Sequence, residues 1–222
     1  MTDLPWSNKS KINTDLKKFK TYLLRSYQKE PMAYILGYKH FWKHKFLTNK
    51  SVLIPRPDTE LIVEETLKHL PIDKSKKILD VGTGSGCIVV SLIKERPKCA
   101  ATAIDISRKA LNVAKTNAKL HQVENKIKFI NIDIDKYKSS NYDLIISNPP
   151  YINCIELNRL DDDIKLHEPK IALSGGFDGF RDIKKVIVIS KKLLKINGKL
   201  IIEIGHKQKN QSVKILNENG YY

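Results

Sequence analysis

The chain is poor in cysteine, in arginine and in long apolar runs. Three cysteines, Cys87, Cys99 and Cys154, occur in 222 residues. They form no C-x-x-C pair and no cluster with histidine, which excludes a disulfide framework and a metal centre and points to a reducing, cytoplasmic setting. The opening residues, MTDLPWSNKSKINTD, lack the apolar core of a secretory signal. Apolar runs such as Cys87–Val90 are far too short to cross a bilayer, so no membrane partner is expected. No internal repeat, low-complexity linker, Ser/His/Asp set or Cys/His set is present. Only six of the 40 basic residues are arginine: Arg25, Arg56, Arg96, Arg108, Arg159 and Arg181. The net charge of +16 suits a polyanion such as the ribosome or a nucleic acid. Phosphate sites favour arginine's planar fork, however, and here the lysines are scattered through every segment. The charge therefore reads as compositional bias.

What is present is an alternating pattern. With 41% hydrophobic residues the chain can build one domain with a substantial core. Leu16, Phe19, Leu23 and Tyr27 recur at helical spacing and predict a helix over 14–29, with Pro31 beyond its end. Residues 40–54 predict two short strands around Thr48-Asn49-Lys50. Asp58 is the expected N-cap of a helix running to about Leu70. From Lys77 strands and helices alternate: KILDVG, a helix over Cys87–Glu95 stopped by Pro97, ATAIDI, a helix over Arg108–His121, KIKFINID and DLIISN. A long connection from Pro149 to Asp178 follows. Gly179–Lys195 predicts a helix, GKLIIEIG a fifth strand, and Gln208–Asn219 a last helix. Such alternation means an α/β fold, a parallel sheet with helices on both faces. Its ligands bind beyond the carboxyl ends of the strands.

The strand ends carry the chemistry. The first closes in Asp80-Val81-Gly82-Thr83-Gly84-Ser85-Gly86. A dinucleotide fingerprint needs a glycine where Cys87 stands. An acid directly before the loop is also a poor neighbour for a pyrophosphate, and suits a cationic ligand. S-adenosylmethionine has a sulfonium, an ammonium and no phosphate, and D-x-G-x-G-x-G is the signature of the methyltransferases that use it. Asp105, closing the second strand, can accept from ribose hydroxyls. Asp133, closing the third, can accept from the adenine amino group, and Ile134 can cover the adenine face.

The fourth strand runs into Asn148-Pro149-Pro150-Tyr151. Prolines have no N–H and a fixed φ, so their carbonyls are held stiffly. With the Asn148 side-chain oxygen they can grip both hydrogens of a planar –NH₂ group, and Tyr151 offers a face for stacking. A delocalised nitrogen is a poor nucleophile. Positioning and electrostatics by Asn148, Pro149 and Tyr151 would supply the catalysis. Adenine N6, guanine N2 and glutamine N5 all fit this description.

From about Glu30 to Gly220 the chain resembles the release-factor glutamine methyltransferases. The resemblance rests on EPMAYILGYKHFW, VLIPRPDTE, ILDVGTGSG, AIDIS, SNPPYI, EPKIAL followed by GGFDG, and LIIEIG. It implies a Rossmann-like class I methyltransferase sheet, with a short amino-terminal helix and a β-hairpin before it. It also implies S-adenosylmethionine as donor, and methylation of the glutamine side-chain nitrogen (N5) in the Gly-Gly-Gln motif of class 1 peptide chain release factors in the cytoplasm. By position, Gly82, Thr83, Gly84, Ser85, Gly86, Asp105 and Asn148 line the cofactor, and Asn148, Pro149, Pro150 and Tyr151 bind the glutamine. Arg56, Thr59 and Glu168 lie in matching motifs without an assigned role. Against the family pattern, residues 1–38 read as the remnant of a helical domain, 39–56 as a hairpin linker and 57–222 as the methyltransferase domain. A carboxyl-terminal strand pair is expected to be missing, which would leave KLIIEI at a sheet edge. Two other readings stay open. One is a nucleic-acid exocyclic-amine methyltransferase, although no segment is long enough for a target-recognition domain. The other is a non-catalytic remnant.

Overall fold

A computed structural model describes residues 9–222, with side chains from residue 15 onward. Helix α1 (Lys9–Tyr27) and the short α2 (Met32–Leu36) come first. The predicted apolar face of α1 forms, but Leu16, Phe19, Leu23 and Tyr27 are all exposed. The helix is tied at its end instead. The Arg25 guanidinium holds Glu30 by two bonds of 2.8 Å and donates to the Tyr34 carbonyl.

The hairpin is shifted from its expected place. Strands β1 (Tyr38–Phe41) and β2 (His44–Leu47) pair antiparallel around Trp42–Lys43, and Trp42 takes the left-handed conformation at φ 53°. This register buries Phe41 and Phe46 in the main core. Thr48–Ser51 turn the chain after the hairpin, with Asn49 Oδ1 accepting from the Ser51 N–H at 2.9 Å. Residues 53–56 form no strand, because the Ile54 N–H goes to the Glu168 carboxylate. Asp58 makes no capping bond. A 3-10 turn, Pro57–Thr59, leads directly into α3 (Glu60–Lys68).

The alternating region follows the predicted order: β3 (Lys77–Val81), α4 (Cys87–Glu95), β4 (Ala100–Asp105), α5 (Arg108–Leu120), β5 (Ile127–Asn131) and β6 (Tyr142–Ser147). The long connection contains α6 (Cys154–Asn158) and α7 (Asp162–His167). Then come α8 (Arg181–Leu193), β7 (Leu194–Ile202) and α9 (Lys209–Glu218). All pairings in the five-stranded sheet are parallel, in the order β5-β4-β3-β6-β7. One core packs Ile78, Ala103 and Ile146 against the hairpin, α3 and α4. On the other face Leu79, Ile104 and Ile145 meet Val186 and Leu193 of α8. Strand β7 is the outer strand on its side. After Leu194 pairs with Tyr142, the ladder resumes only at Lys199 opposite Leu144. It ends at Ile202, so Glu203-Ile204-Gly205 leave the sheet earlier than the apolar run suggests. No helix among the described residues is long and apolar enough to cross a membrane.

Candidate active site

Strands β3–β5 spread to one side of β3, and β6 begins the other side. The strand order therefore reverses between β3 and β6, where α/β sheets bind ligands. Val81 and Ser147 are register partners there, and Ser147 Oγ donates to the Val81 carbonyl at 2.8 Å. A cleft opens beyond these ends. It is lined by Gly82, Thr83, Gly84, Ser85, Asp105, Asp133, Ile134 and Asn148–Pro150.

Asp80, at the root of the glycine loop, is fully buried. One oxygen accepts from Thr83 Oγ1 at 2.7 Å and the other has no partner among the described residues. Burial pushes its pKa up to about 7, against the Thr83 bond. Gly82 and Gly84 sit at φ +72° and +55°, and a side chain at Gly82 would meet only open space. Both belong to a cradle that L side chains enter only with strain. Gly86 does not line the cleft. A Cβ there would lie 3.1 Å from Ala114 Cβ, so this glycine lets α4 pack on α5 instead of meeting a ligand.

The two strand-end acids differ. Asp105 accepts from the Gly84 N–H (2.9 Å) and the Ser107 N–H (2.8 Å), one on each oxygen. Each oxygen keeps a lone pair for a further donor, and burial raises its pKa against those two N–H groups. Asp133 is not the open acceptor that the sequence predicts. Both its oxygens face Lys185 Nζ of α8, at 3.2 and 3.1 Å, and one accepts from the Asp135 N–H. Burial raises its pKa, but the Asp135 N–H and Lys185 prevail and hold it below the usual carboxylate range. Ile134 is buried beside it, on the cleft wall.

Residues 52–56 form the opposite wall. Tyr34 Oη donates to the Val52 carbonyl at 2.6 Å. Glu168, whose side chain is wholly buried, accepts from the Ile54 N–H at 3.1 Å and pairs with the Arg56 guanidinium. The unassigned Arg56 and Glu168 thus hold this wall against the loop after α7.

The Asn148–Tyr151 loop separates the cleft from a smaller pocket, which Leu160, Leu173 and Glu203 help to line. Asn148, Pro149 and Pro150 border both spaces, whereas Tyr151 faces only the smaller one. Asn148 Nδ2 donates to Thr59 Oγ1 at 3.0 Å. Among the described residues, nothing donates to Asn148 Oδ1 or to the Pro149 carbonyl. The Tyr151 hydroxyl donates to Glu203 Oε1 at 3.2 Å, while burial, with Glu203 adding, pushes its pKa up to about 12. The loop is clamped from outside by GGFDG. A Cβ on Gly175 would come within 2.8 Å of both the Pro150 carbonyl and Tyr151 Cα. Gln208 Nε2 also bonds the Tyr151 and Gly179 carbonyls at 3.1 Å each.

Glu203 went unassigned in the sequence. The signal was available: it follows the carboxyl end of β7, the neighbour of β6, where the strand-end rule places ligands.

The sequence profile of the methyltransferase small domain matches residues 59–160. The chain is 39% identical over 90% of its length to a bifunctional methyltransferase of Rickettsia bellii, but spans only 41% of that protein. A methyltransferase from Pyrococcus furiosus shares the fold, with a TM-score of 0.59 at 16% identity, over 91% of this chain and 87% of the other. The release factor glutamine methyltransferase of Caulobacter vibrioides is 38% identical over 88% of this chain and 68% of its own length. On that extent of shared sequence, the chain belongs to the release factor glutamine methyltransferase family.

Proposed function

We propose that the protein transfers a methyl group from S-adenosylmethionine to the side-chain amide nitrogen of the glutamine in the Gly-Gly-Gln motif of class 1 peptide chain release factors. One observation carries the reading. Asn148, Pro149 and Pro150 wall off a small pocket from the cleft at the switch point, and two of their oxygens are without donors among the described residues. The names of the relatives favour glutamine over the other planar amines.

The cleft fits the donor. The spare lone pairs of Asp105 suit ribose hydroxyls and Ile134 suits a flat base, while Asp80, buried at the root of the glycine loop behind the cleft wall, supplies negative charge that suits a cationic ligand. S-adenosylmethionine, when bound, supplies the electrophilic methyl carbon. The chain's own residues make the nitrogen ready. Asn148 Oδ1 and the Pro149 carbonyl take the two N–H groups of the glutamine amide, which draws charge onto the nitrogen and fixes its plane. Both groups are held before the substrate arrives, so little reorganisation is needed. The proton leaves after transfer.

Mass spectrometry of a release factor incubated with the protein and donor tests this. The expected product is one added methyl on the Gly-Gly-Gln glutamine, absent with Asn148→Ala. Methylation of RNA or DNA in its place, or donor binding without turnover on any substrate, would refute it.

A further inference from the structure

Glu203 follows β7 directly. Its N–H donates to the Ser147 carbonyl at 3.0 Å, which sets it beside the start of the Asn148–Tyr151 loop. Its carboxylate reaches the far end of that loop and lines the same small pocket as Asn148. Oε1 accepts from the Tyr151 hydroxyl. Thr59 and Asn148 lie beside the same carboxylate and, with Tyr151, favour its charged form against burial. Oε2 is buried and has no partner among the described residues. Thr59, itself buried, accepts from Asn148 Nδ2 through its oxygen and retains one proton to give. The proton and the unpartnered oxygen match.

We propose that Glu203 is a positioning residue that sets which face of the Asn148 amide meets the substrate. The mechanism is a proton count. A hydroxyl has one proton. When Glu203 takes it, Thr59 can only accept, so Asn148 must turn its NH₂ toward Thr59 and its oxygen away. A flipped amide would put two acceptors face to face at Thr59 and offer NH₂ to the incoming –NH₂. The carboxylate behind the amide also polarises it, which enriches Oδ1 in charge. Through Tyr151 the same group anchors the far end of the loop. The inference rests on the reading of Asn148 as the acceptor of the substrate amide.

Two measurements test it. The first is steady-state methylation of a release factor, together with donor affinity by calorimetry. Glu203→Ala and Thr59→Val are each expected to lower kcat by about 10- to 100-fold, the scale of a misplaced catalytic group, with donor affinity unchanged. Glu203→Gln, which can still accept from Thr59, is expected to restore most of the loss. The double variant Thr59→Val/Glu203→Ala should be no slower than the slower single one, because the two act as a unit. Full activity in Glu203→Ala, a Glu203→Gln as impaired as the alanine, or losses that multiply would each overturn the proposal. The second measurement is the NMR signal of the Asn148 side-chain NH₂ without substrate, identified by its loss in Asn148→Ala. It should shift in Glu203→Ala and Thr59→Val but not in Glu203→Gln. An unmoved signal in Glu203→Ala refutes the orientation claim. If the wild type methylates no glutamine, the functional reading fails, while the NMR signal still decides the orientation.

Discussion

Arg56 pairs with Glu168 across 112 positions of sequence, and the glutamate side chain is completely buried. The same carboxylate accepts from the Ile54 N–H, so a single group seats the wall formed by residues 52–56. Removing one partner of a buried pair costs about 3–5 kcal/mol. Arg56→Ala strands a wholly buried carboxylate, whereas Glu168→Ala leaves a guanidinium that is about a third exposed but orphans the Ile54 N–H, so both should fall within that range. Both should weaken donor binding. Urea unfolding with calorimetry checks this; a Glu168→Ala variant of unchanged stability and affinity would show that the wall is held by something else.

Asn117 joins the hairpin to the glycine loop. Its side chain accepts from the Leu47 N–H at 2.8 Å and donates to the carbonyls of Leu47 (3.0 Å) and Ser85 (2.8 Å), fully buried. Asn117→Ala loses all three and leaves buried backbone groups unpaired, at a cost of about 2–4 kcal/mol. Asn117→Asp should be damaging as well, since a carboxylate cannot donate to either carbonyl. Thermal unfolding is the measurement, with donor affinity as the second readout because Ser85 lies on the cleft wall.

Two glycines should fail for different reasons. Gly82 has open space where a Cβ would go but a φ of +72°, so Gly82→Ala carries a left-handed strain of about 1–2 kcal/mol. That should appear mainly as weaker donor binding. Gly175 is excluded by contact: its Cβ would lie 2.6 Å from the Gly179 carbonyl and 2.8 Å from the Pro150 carbonyl. Backbone on every side must shift, and the shift falls on the Asn148–Tyr151 loop. Gly175→Ala should lower kcat more than it weakens donor binding. The opposite ranking in calorimetry and initial rates would contradict the clamp.

Asp80 predicts a pH dependence. Its pKa is raised from an ordinary carboxylate value to about 7 by burial. The folded state therefore binds this proton more tightly than the unfolded chain. The associated stability is complete below about pH 4 and is lost as pH rises to about 7. A cationic ligand favours the ionised form, so donor affinity should strengthen as pH rises toward about 7 and level off above it, with proton release on binding below it. Calorimetry in buffers of different ionisation enthalpy measures that release. Asp80→Asn should abolish it, and a flat wild-type profile would remove Asp80 from any ammonium contact.

Much of this was legible in the residues because it is local. The strand–helix alternation from Lys77, the glycine loop and the proline-stiffened Asn148–Tyr151 loop depend on near neighbours, and all appear in the expected order, although β7 runs over Leu194–Ile202 and not over 198–205. The misplacements have identifiable physical causes. The hairpin turn went to Trp42–Lys43, not Thr48–Lys50, since only that register buries Phe41 and Phe46 together. The strand expected after Thr48 lost its N–H to a carboxylate far along the chain. The predicted face of α1 is real as a helical pattern yet stays exposed among the described residues. Periodicity shows that a helix has an apolar side, and says nothing about what covers it.

The order of residues by itself determined the sheet, the carboxyl-end location of the chemistry and the types of groups gathered there. Only tertiary structure decided what each acid does. Asp105 keeps lone pairs open, Asp133 is neutralised by Lys185, Glu168 becomes a staple and Glu203 comes to line the small pocket beside Asn148. The physical reason is that a carboxylate's role is set by its burial and by which donors reach it. Apart from the nearby Ser107 and Asp135 N–H groups, those donors come from residues 21 to 114 positions away, a separation that no local pattern encodes.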